Sequence, residues 1–424
     1  MWKLIITNLW SRRKRNGWLL AELVLVSVVT WVILDPVIVI LYDCSLPTGY
    51  DEDRLCLVDV ARLDERASQY DAEANDSADF FRLIDKVRAL PEVENVAPIF
   101  SFAYMESQGN MSRGFQADTL HTIYAGVVNF APGQRYFETY GLRSVPGSPS
   151  PEELSAMTYG GRDVVVTRSL ANALFPDGDV LGKWRNDATI SLEGEEGYHI
   201  VGIVEDVRAY TTRRESKLAF FVDEEMDNRL ILIRQKNGIT PNRFLHDFRP
   251  WMVKELRSGN LYGRTVTAYT QIIRDYEYQA GATNSIRLNM ALAAFFLVNL
   301  CLGVIGTFWL QTRKRSEEAG VMRSFGATPS GIVRMLLGEG AVLCTVAFLL
   351  GCFAYFQYAV KEGLSNGANW REVMTDDWVS HFSTHFMGVS LIVYVILLVV
   401  VSIGIYIPAR GISRVNPVDA LRDE

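Results

Sequence analysis

The stretch RKRSEEAGVMRSFGATPSGI, residues 313–332, lies between two long apolar runs. It is dense in charge, yet it carries a thin apolar thread of Val321, Met322 and Phe325. A plain connector between two membrane helices needs no such thread. Its flanks set the frame. A helix needs about 20 apolar residues to cross a bilayer, and four runs qualify: 17–41, 288–310, 332–355 and 387–407. Pro408 is expected to end the fourth. Glu22 lies near the start of the first run, Asp35-Pro36 lies inside it, and Glu339 lies inside the third. Helical rise over 17–35 is about 27 Å, which puts Asp35 near the far headgroups. The first run is too long for a cleaved signal peptide and is expected to stay as an anchor.

Composition agrees with this mixture. The chain has 424 residues, 49% apolar and 21% charged, and a net charge of −7 that disfavours a nucleic-acid partner. Basic residues gather at one set of helix ends. Lys3, Arg12, Arg13, Lys14 and Arg15 precede the first run. Arg313, Lys314, Arg315, Arg323 and Arg334 lie between the second and third, and Arg410, Arg414 and Arg422 follow the fourth. Both termini (1–16 and 408–424) and the segment 311–331 are therefore expected in the cytoplasm. Residues 42–287 and the short loop 356–386 are expected outside it. Cys301, Cys344 and Cys352 fall in apolar runs and read as packing residues. Cys44 and Cys56 lie just beyond the first run, where a disulfide is chemically allowed and its geometry is left open.

The segment 42–287 reads as a folded α+β domain. RLCLVDVARL (54–63) has strand composition, and a helix with Phe80, Phe81, Ile84, Val87 and Leu90 at helical spacing follows, capped by Ser77 or Asp79. NVAPIF is its return strand. A second unit has strands at 163–167, 198–208 and in KLAFFVD and RLILIRQ, a short helix at 169–175, and a helix over 241–256. SVPGSPSPEE reads as an inserted loop. From TAYTQIIRDYEYQAGATNSI a helix is expected to run directly into the second span. The fold class is thus a four-helix α-helical membrane domain with a large α+β extracytoplasmic domain.

Catalytic signatures are missing from the sequence. Gly182-Lys183 is followed by Trp184 and has no phosphate-loop glycines upstream. His381 and His385 have i, i+4 spacing but no nearby carboxylate or cysteine pattern, so polar residues near a membrane exit are the preferred reading over a metal site. No Gly-x-Ser-x-Gly elbow occurs.

From Arg315, RSEEAGVMRSFGATPSGI resembles the cytoplasmic loop of MacB/FtsX-type ABC transporter permeases, with Glu318, Gly320, Val321, Met322, Arg323, Phe325, Gly326, Ala327 and Thr328 at matching places. IPARGISRVNPVDALRDE is similar to the family's C-terminal segment through Pro408, Ala409, Asn416, Pro417, Val418, Asp419, Ala420, Leu421 and Arg422. VVVTRSLANALFPDGDVLGK followed by YHIVGIVEDVR resembles its periplasmic core domain. The resemblance implies a non-catalytic permease subunit of the bacterial inner membrane. A separate ATPase chain would hold ATP and magnesium, since no ATPase domain precedes the first span here. A short coupling helix would dock into that ATPase and pass its motion to the domain outside. Implied partners are the ATPase, a second permease copy or paralogue, an adaptor or outer-membrane component, and lipid. A non-transporting FtsX-type regulator of an envelope enzyme or lipoprotein is the alternative.

The residues themselves suit docking. Glu318, Val321, Met322 and Phe325 share one face of a helix over 316–325, closed by Gly326 and followed by a Thr328 cap. The competing reading is an amphipathic helix lying on lipid. Pro417, Val418, Ala420, Leu421 and Arg422 are expected to contact the same cytoplasmic side. Glu339 is expected to make a structural or coupling contact rather than relay protons.

Overall fold

The computed structural model describes residues 13–99, 104–107, 112–116, 122–176, 178, 180–187, 197–222, 230–367 and 377–413, with the side chains of 13–16, 184, 186, 187, 307–321 and 412 left outside that description. The chain divides into a helical unit, Met1–Tyr42 with Thr283–Glu424, and an α+β unit, Asp43–Ala282.

In chain order the elements are α1 (Arg13–Ser45), β1 (Leu55–Arg62), α2 (Asp76–Arg88), β2 (Val93–Ile99), β3 (Ser112–Gln116), β4 (Thr122–Phe130), α3 (Tyr136–Tyr140), α4 (Pro151–Ala156), β5 (Asp163–Thr167), α5 (Arg168–Leu174), β6 (Trp184–Asp187) and β7 (Tyr198–Val204). Then come β8 (Leu218–Val222), β9 (Leu230–Gln235), α6 (Pro241–Glu255), β10 (Arg257–Ser258), β11 (Leu261–Ala268), α7 (Tyr269–Gln279), α8 (Ala282–Ser324), α9 (Pro329–Glu362) and α10 (Phe382–Ile412).

The α+β unit holds a five-stranded sheet, β10-β11-β1-β9-β2, and a closed barrel, β3-β4-β8-β5-β7-β6. The sheet pairs are antiparallel throughout. Strands β1 and β9 carry apolar residues on both faces because both faces are covered. In β1, Cys56, Val58 and Val60 pack with α2 and α6, while Leu55 and Leu57 enter a second core on the opposite face. In β9, Ile231 and Ile233 face the helices, and Leu230 and Leu232 face the second core. Alternation of this kind is the period-2 signature of a strand buried on both sides. Pro98 is tolerated in β2 because β2 is the sheet edge. The second core is aromatic and joins sheet to barrel through Tyr136, Phe137, Tyr140, Phe130 and Phe220. Two of its polar tips are paired: the hydroxyls of Tyr140 and Tyr269 lie 3.0 Å apart, and Tyr269 donates to the Met105 carbonyl at 2.6 Å.

Several expectations change here. Asn75, not Ser77 or Asp79, caps α2, accepting from the Ala78 N–H at 3.1 Å. The inserted loop contains α4, whose capping box joins Ser150 and Glu153. The helix into the second span is broken: α7 ends before Ala280, and Gly281 takes φ +82°, a left-handed step that ends a helix.

Among the described residues of the helical unit, four helices are long and apolar enough to cross a membrane. Val389, Val393, Leu397, Val401 and Ile405 form a buried stripe along α10 that meets Leu19, Leu23 and Leu34 of α1, Leu300 and Val304 of α8, and Leu336 and Phe348 of α9. Glycines allow close approach, as between membrane helices generally. A Cβ on Gly340 would sit 1.9 Å from Ile405 Cδ1, and one on Gly351 would sit 2.5 Å from Ser27 Oγ. Glu22 lies across α8, where a Cβ on Gly303 would meet its Oε1 at 2.2 Å. Pro408 does not end α10, which continues to Ile412. Proline removes one backbone hydrogen bond, and buried Ile405 and Ala409 anchor the helix on either side of it.

Candidate functional site: the α8–α9 turn

The segment 313–332 forms the end of one long helix and the start of the next. α8 runs without a break from Ala282 to Ser324, so span and coupling segment are one rod rather than a span to 310 and a separate helix from 316. Its sequence explains this. Between Phe308 and Ser324 no proline occurs, and Gln311, Arg313, Lys314, Arg315, Glu317, Glu318 and Ala319 all favour helix.

The rod ends in a specific turn. Gly326 has φ +92°. Its N–H donates to the Arg323 carbonyl at 3.0 Å, and the Ala327 N–H donates to the Met322 carbonyl at 2.9 Å. This pair of bonds is the Schellman pattern, and it needs a residue free to adopt left-handed geometry. Thr328 then caps α9, accepting from the Gly331 N–H at 3.2 Å, with Pro329 in the first turn. Ala327 packs against the helical core, as do the buried Ile332 and Leu336. The turn is therefore held from both sides, and Phe325 at its tip is 87% exposed. Phe325 lies just past the helix end rather than on the helical face. Met322 and Arg323 are half-buried. The backbones of Glu318, Gly320 and Val321 lie within α8, but their side chains lie outside the described residues, and so do Pro417, Val418, Ala420, Leu421 and Arg422.

Glu339 is buried on α9, one residue from the Gly340–Ile405 crossing. Cys44 and Cys56 are both free thiols. Cys56 points into the core beneath α2 and α6 and accepts from Gln235 Nε2 at 2.9 Å, while Cys44 sits in the last turn of α1, so the open disulfide is not formed. His381 stands exposed just ahead of α10 and His385 is buried within it; the two do not converge.

Sequence reasoning missed a clamp in the α+β unit where the chain leaves α1. The buried Arg208 donates through Nη1 to the Asp43 carbonyl at 2.8 Å, through Nε to the Pro47 carbonyl at 3.0 Å, and through Nη2 to the Leu46 carbonyl. It also reaches the Thr211 and Arg213 carbonyls at 3.1 Å each. Arg214 pairs with Asp43 at 3.5 Å. One guanidinium thus gathers the carbonyls that a helix end leaves unsatisfied. Beside it, Glu106 accepts from the Thr211 N–H at 2.6 Å. Burial pushes its carboxyl up to about 8, against the pull of that N–H and of Arg208. Nothing in the local sequence marks the distant partners: Arg208 and Asp43 lie 165 positions apart, and Glu106 and Thr211 lie 105 apart.

Comparison with known proteins covers both units. Residues 290–417 match the FtsX-like permease C-terminal family model, and residues 49–250 match the MacB-like periplasmic core domain. A macrolide export ATP-binding/permease protein MacB from Shewanella sp. (strain W3-18-1) is 23% identical over 346 residues, 80% of this chain and 48% of that protein. One of the same name from Rhodopirellula baltica is 27% identical over 217 residues, 50% of this chain and 28% of that one. The chain thus spans about half the length of these relatives or less. Among solved structures, the periplasmic region of MacB from Actinobacillus actinomycetemcomitans aligns with TM-score 0.32 and 11% identity, over 54% of this chain and 94% of that one.

Proposed function

Because the chain belongs to the MacB/FtsX-type ABC transporter permease family, we propose that it is a permease subunit that converts ATP hydrolysis on a separate ATPase chain into movement of its α+β unit. The α8–α9 turn is the docking element, and ATP and magnesium belong to the partner. In this reading the turn and both termini face the cytoplasm, the α+β unit faces the other side of the inner membrane, and two permease copies work together as the two ATPases close. The exposed Phe325 carries the reading. It stands at the tip of a turn fixed by a Schellman closure and a threonine cap, at the end of a helix that extends unbroken through a membrane span. A large exposed aromatic on a backbone turn fixed in this way offers an anchor to a partner groove. A lipid-bound helix would instead turn an apolar face along its length.

The test is Phe325→Glu in the full chain, purified with the ATPase that accompanies it. Loss of a buried aromatic anchor costs about 2 kcal/mol or more, roughly 30-fold in affinity. The ATPase is expected to be lost from the purified complex while the variant remains folded in the membrane. Retention of the ATPase with unchanged turnover would overturn the docking role.

A further inference from the structure

Asp35 and His385 meet inside the helical unit, each side chain only 1% exposed. His385 Nε2 lies 2.6 Å from Asp35 Oδ1. The other ring nitrogen, Nδ1, lies 3.1 Å from the Val379 carbonyl oxygen. The second carboxyl oxygen, Oδ2, accepts from the Ser365 N–H at 3.0 Å.

Proton counting follows from these partners. A carbonyl oxygen only accepts, so Nδ1 carries a hydrogen. Oδ2 is an acceptor, so any proton on the carboxyl lies on Oδ1. The short contact between Nε2 and Oδ1 then holds one proton. On the ring it makes an imidazolium–carboxylate pair, and on the acid it makes a neutral pair; the summed charge is zero in both. Without that proton, two lone pairs and a net negative charge would be buried together. With a second proton, two hydrogens would collide. Either departure buries an uncompensated charge, which is costly.

The position of the pair gives this a mechanical meaning. Asp35 directly precedes Pro36, where α1 lacks a backbone donor and is open to bending. His385 lies in the first turn of α10, and Ser365 lies just beyond the end of α9. A second set of contacts joins the same helices nearby. Trp31 Nε1 donates to Ser390 Oγ at 3.0 Å, and the indole stacks on Tyr355 at 4.0 Å and Phe386 at 5.4 Å. The Trp378 ring lies edge-on to His385 at 5.5 Å. Tyr355 is the ionisable side chain that faces Asp35 from α9. Lys361 and Glu362 pair with each other at 3.4 Å and are exposed, Asp377 accepts from Ser380, and His381 is exposed.

We propose that Asp35 and His385 are positioning residues that form a one-proton tie, bracing the Pro36 step of α1 against α10 and the segment after α9 so that these elements move as one body. The tie belongs to the helical unit alone and does not depend on which partner drives it.

The conservative variant separates this from simple packing. In Asp35→Asn the amide oxygen still accepts from Ser365, and the amide nitrogen donates to an unprotonated Nε2, so the tie survives without the shared proton. Asp35→Ala removes it. The full chain, labelled with 15N-histidine in lipid nanodiscs, reports the nitrogens directly, and His385→Asn assigns the signal. In the unsubstituted chain His385 is expected to show a protonated Nδ1 and a proton bridging Nε2. In Asp35→Asn it should show a protonated Nδ1 and a bare Nε2. Amide exchange around Pro36 is expected to rise about tenfold or more in Asp35→Ala and to stay within about twofold in Asp35→Asn. A His385 whose Nδ1 carries no proton, or an Asp35→Asn chain as loosened as Asp35→Ala, would overturn the proposal.

Discussion

Glu106 combines two costs at one residue. Its backbone sits at φ +63°, in the left-handed region that side chains other than glycine rarely occupy, and its carboxyl is buried beside Arg208. Such strain is worth about 1–3 kcal/mol and persists where surrounding contacts hold it; here the Glu106 N–H donates to the Ala209 carbonyl at 2.8 Å. The raised carboxyl gives a signed pH dependence. The folded chain keeps the proton up to about pH 8, against an ordinary value of 4.5. Its contribution is therefore fully present below the unfolded value and is lost as pH rises through the folded one. Between about pH 5 and pH 9 the chain should lose stability on the order of 2–4 kcal/mol from this group. Glu106→Gln should flatten that slope in melting curves of the full chain across the range. An unchanged slope would assign the loss to other groups. Nothing in the SFAYMES context signals this. Burial sets the cost, and the Thr211 N–H and Arg208 offset part of it; one sequence carries no record of which distant backbone will reach a given acid.

The elements were legible where composition dictates them and less so where geometry does. A bilayer demands about 20 apolar residues per crossing, and 17–41, 288–310, 332–355 and 387–407 all lie within long helices. Strands β1 and β9 were legible because both of their faces are buried. Element ends fared differently. Charge marks where a helix leaves lipid, not where it stops, so the onset of basic residues at Arg313 suggested a boundary that α8 ignores. In contrast, Gly281 does break a helix that apolar and aromatic spacing would carry across it. The barrel could not be seen at all, since closing β6 onto β3 pairs Phe115 with Asp187 across unrelated sequence. The Gly326 closure was visible, and it makes an element-scale prediction. Gly326→Ala meets no neighbouring atom, so its cost is purely the left-handed backbone. That cost is about 1–2 kcal/mol, read as a lower melting temperature and a frayed end of α8 in amide exchange. Native melting of the Gly326→Ala chain would show that the turn is not held in this conformation.

At the scale of the whole molecule, the proposed function passes work from the α8–α9 turn along the elements that leave it. α8 is continuous from the exposed turn through a span, α1 is braced at its proline, and the chain leaving α1 is gripped by Arg208 within the α+β unit. None of these parts needs a catalytic group in this chain. In the proposed function, ATP on a partner moves the α+β unit through the α8–α9 turn. The most direct measurement places a spectroscopic label at Val253, which is exposed on α6, and follows the separation between labels on the two copies of a nanodisc-held complex as ATP is added. An ATP-dependent change in that separation that disappears with Phe325→Glu is expected. A separation indifferent to ATP, or one that still responds with Phe325→Glu while the ATPase stays bound, would contradict it.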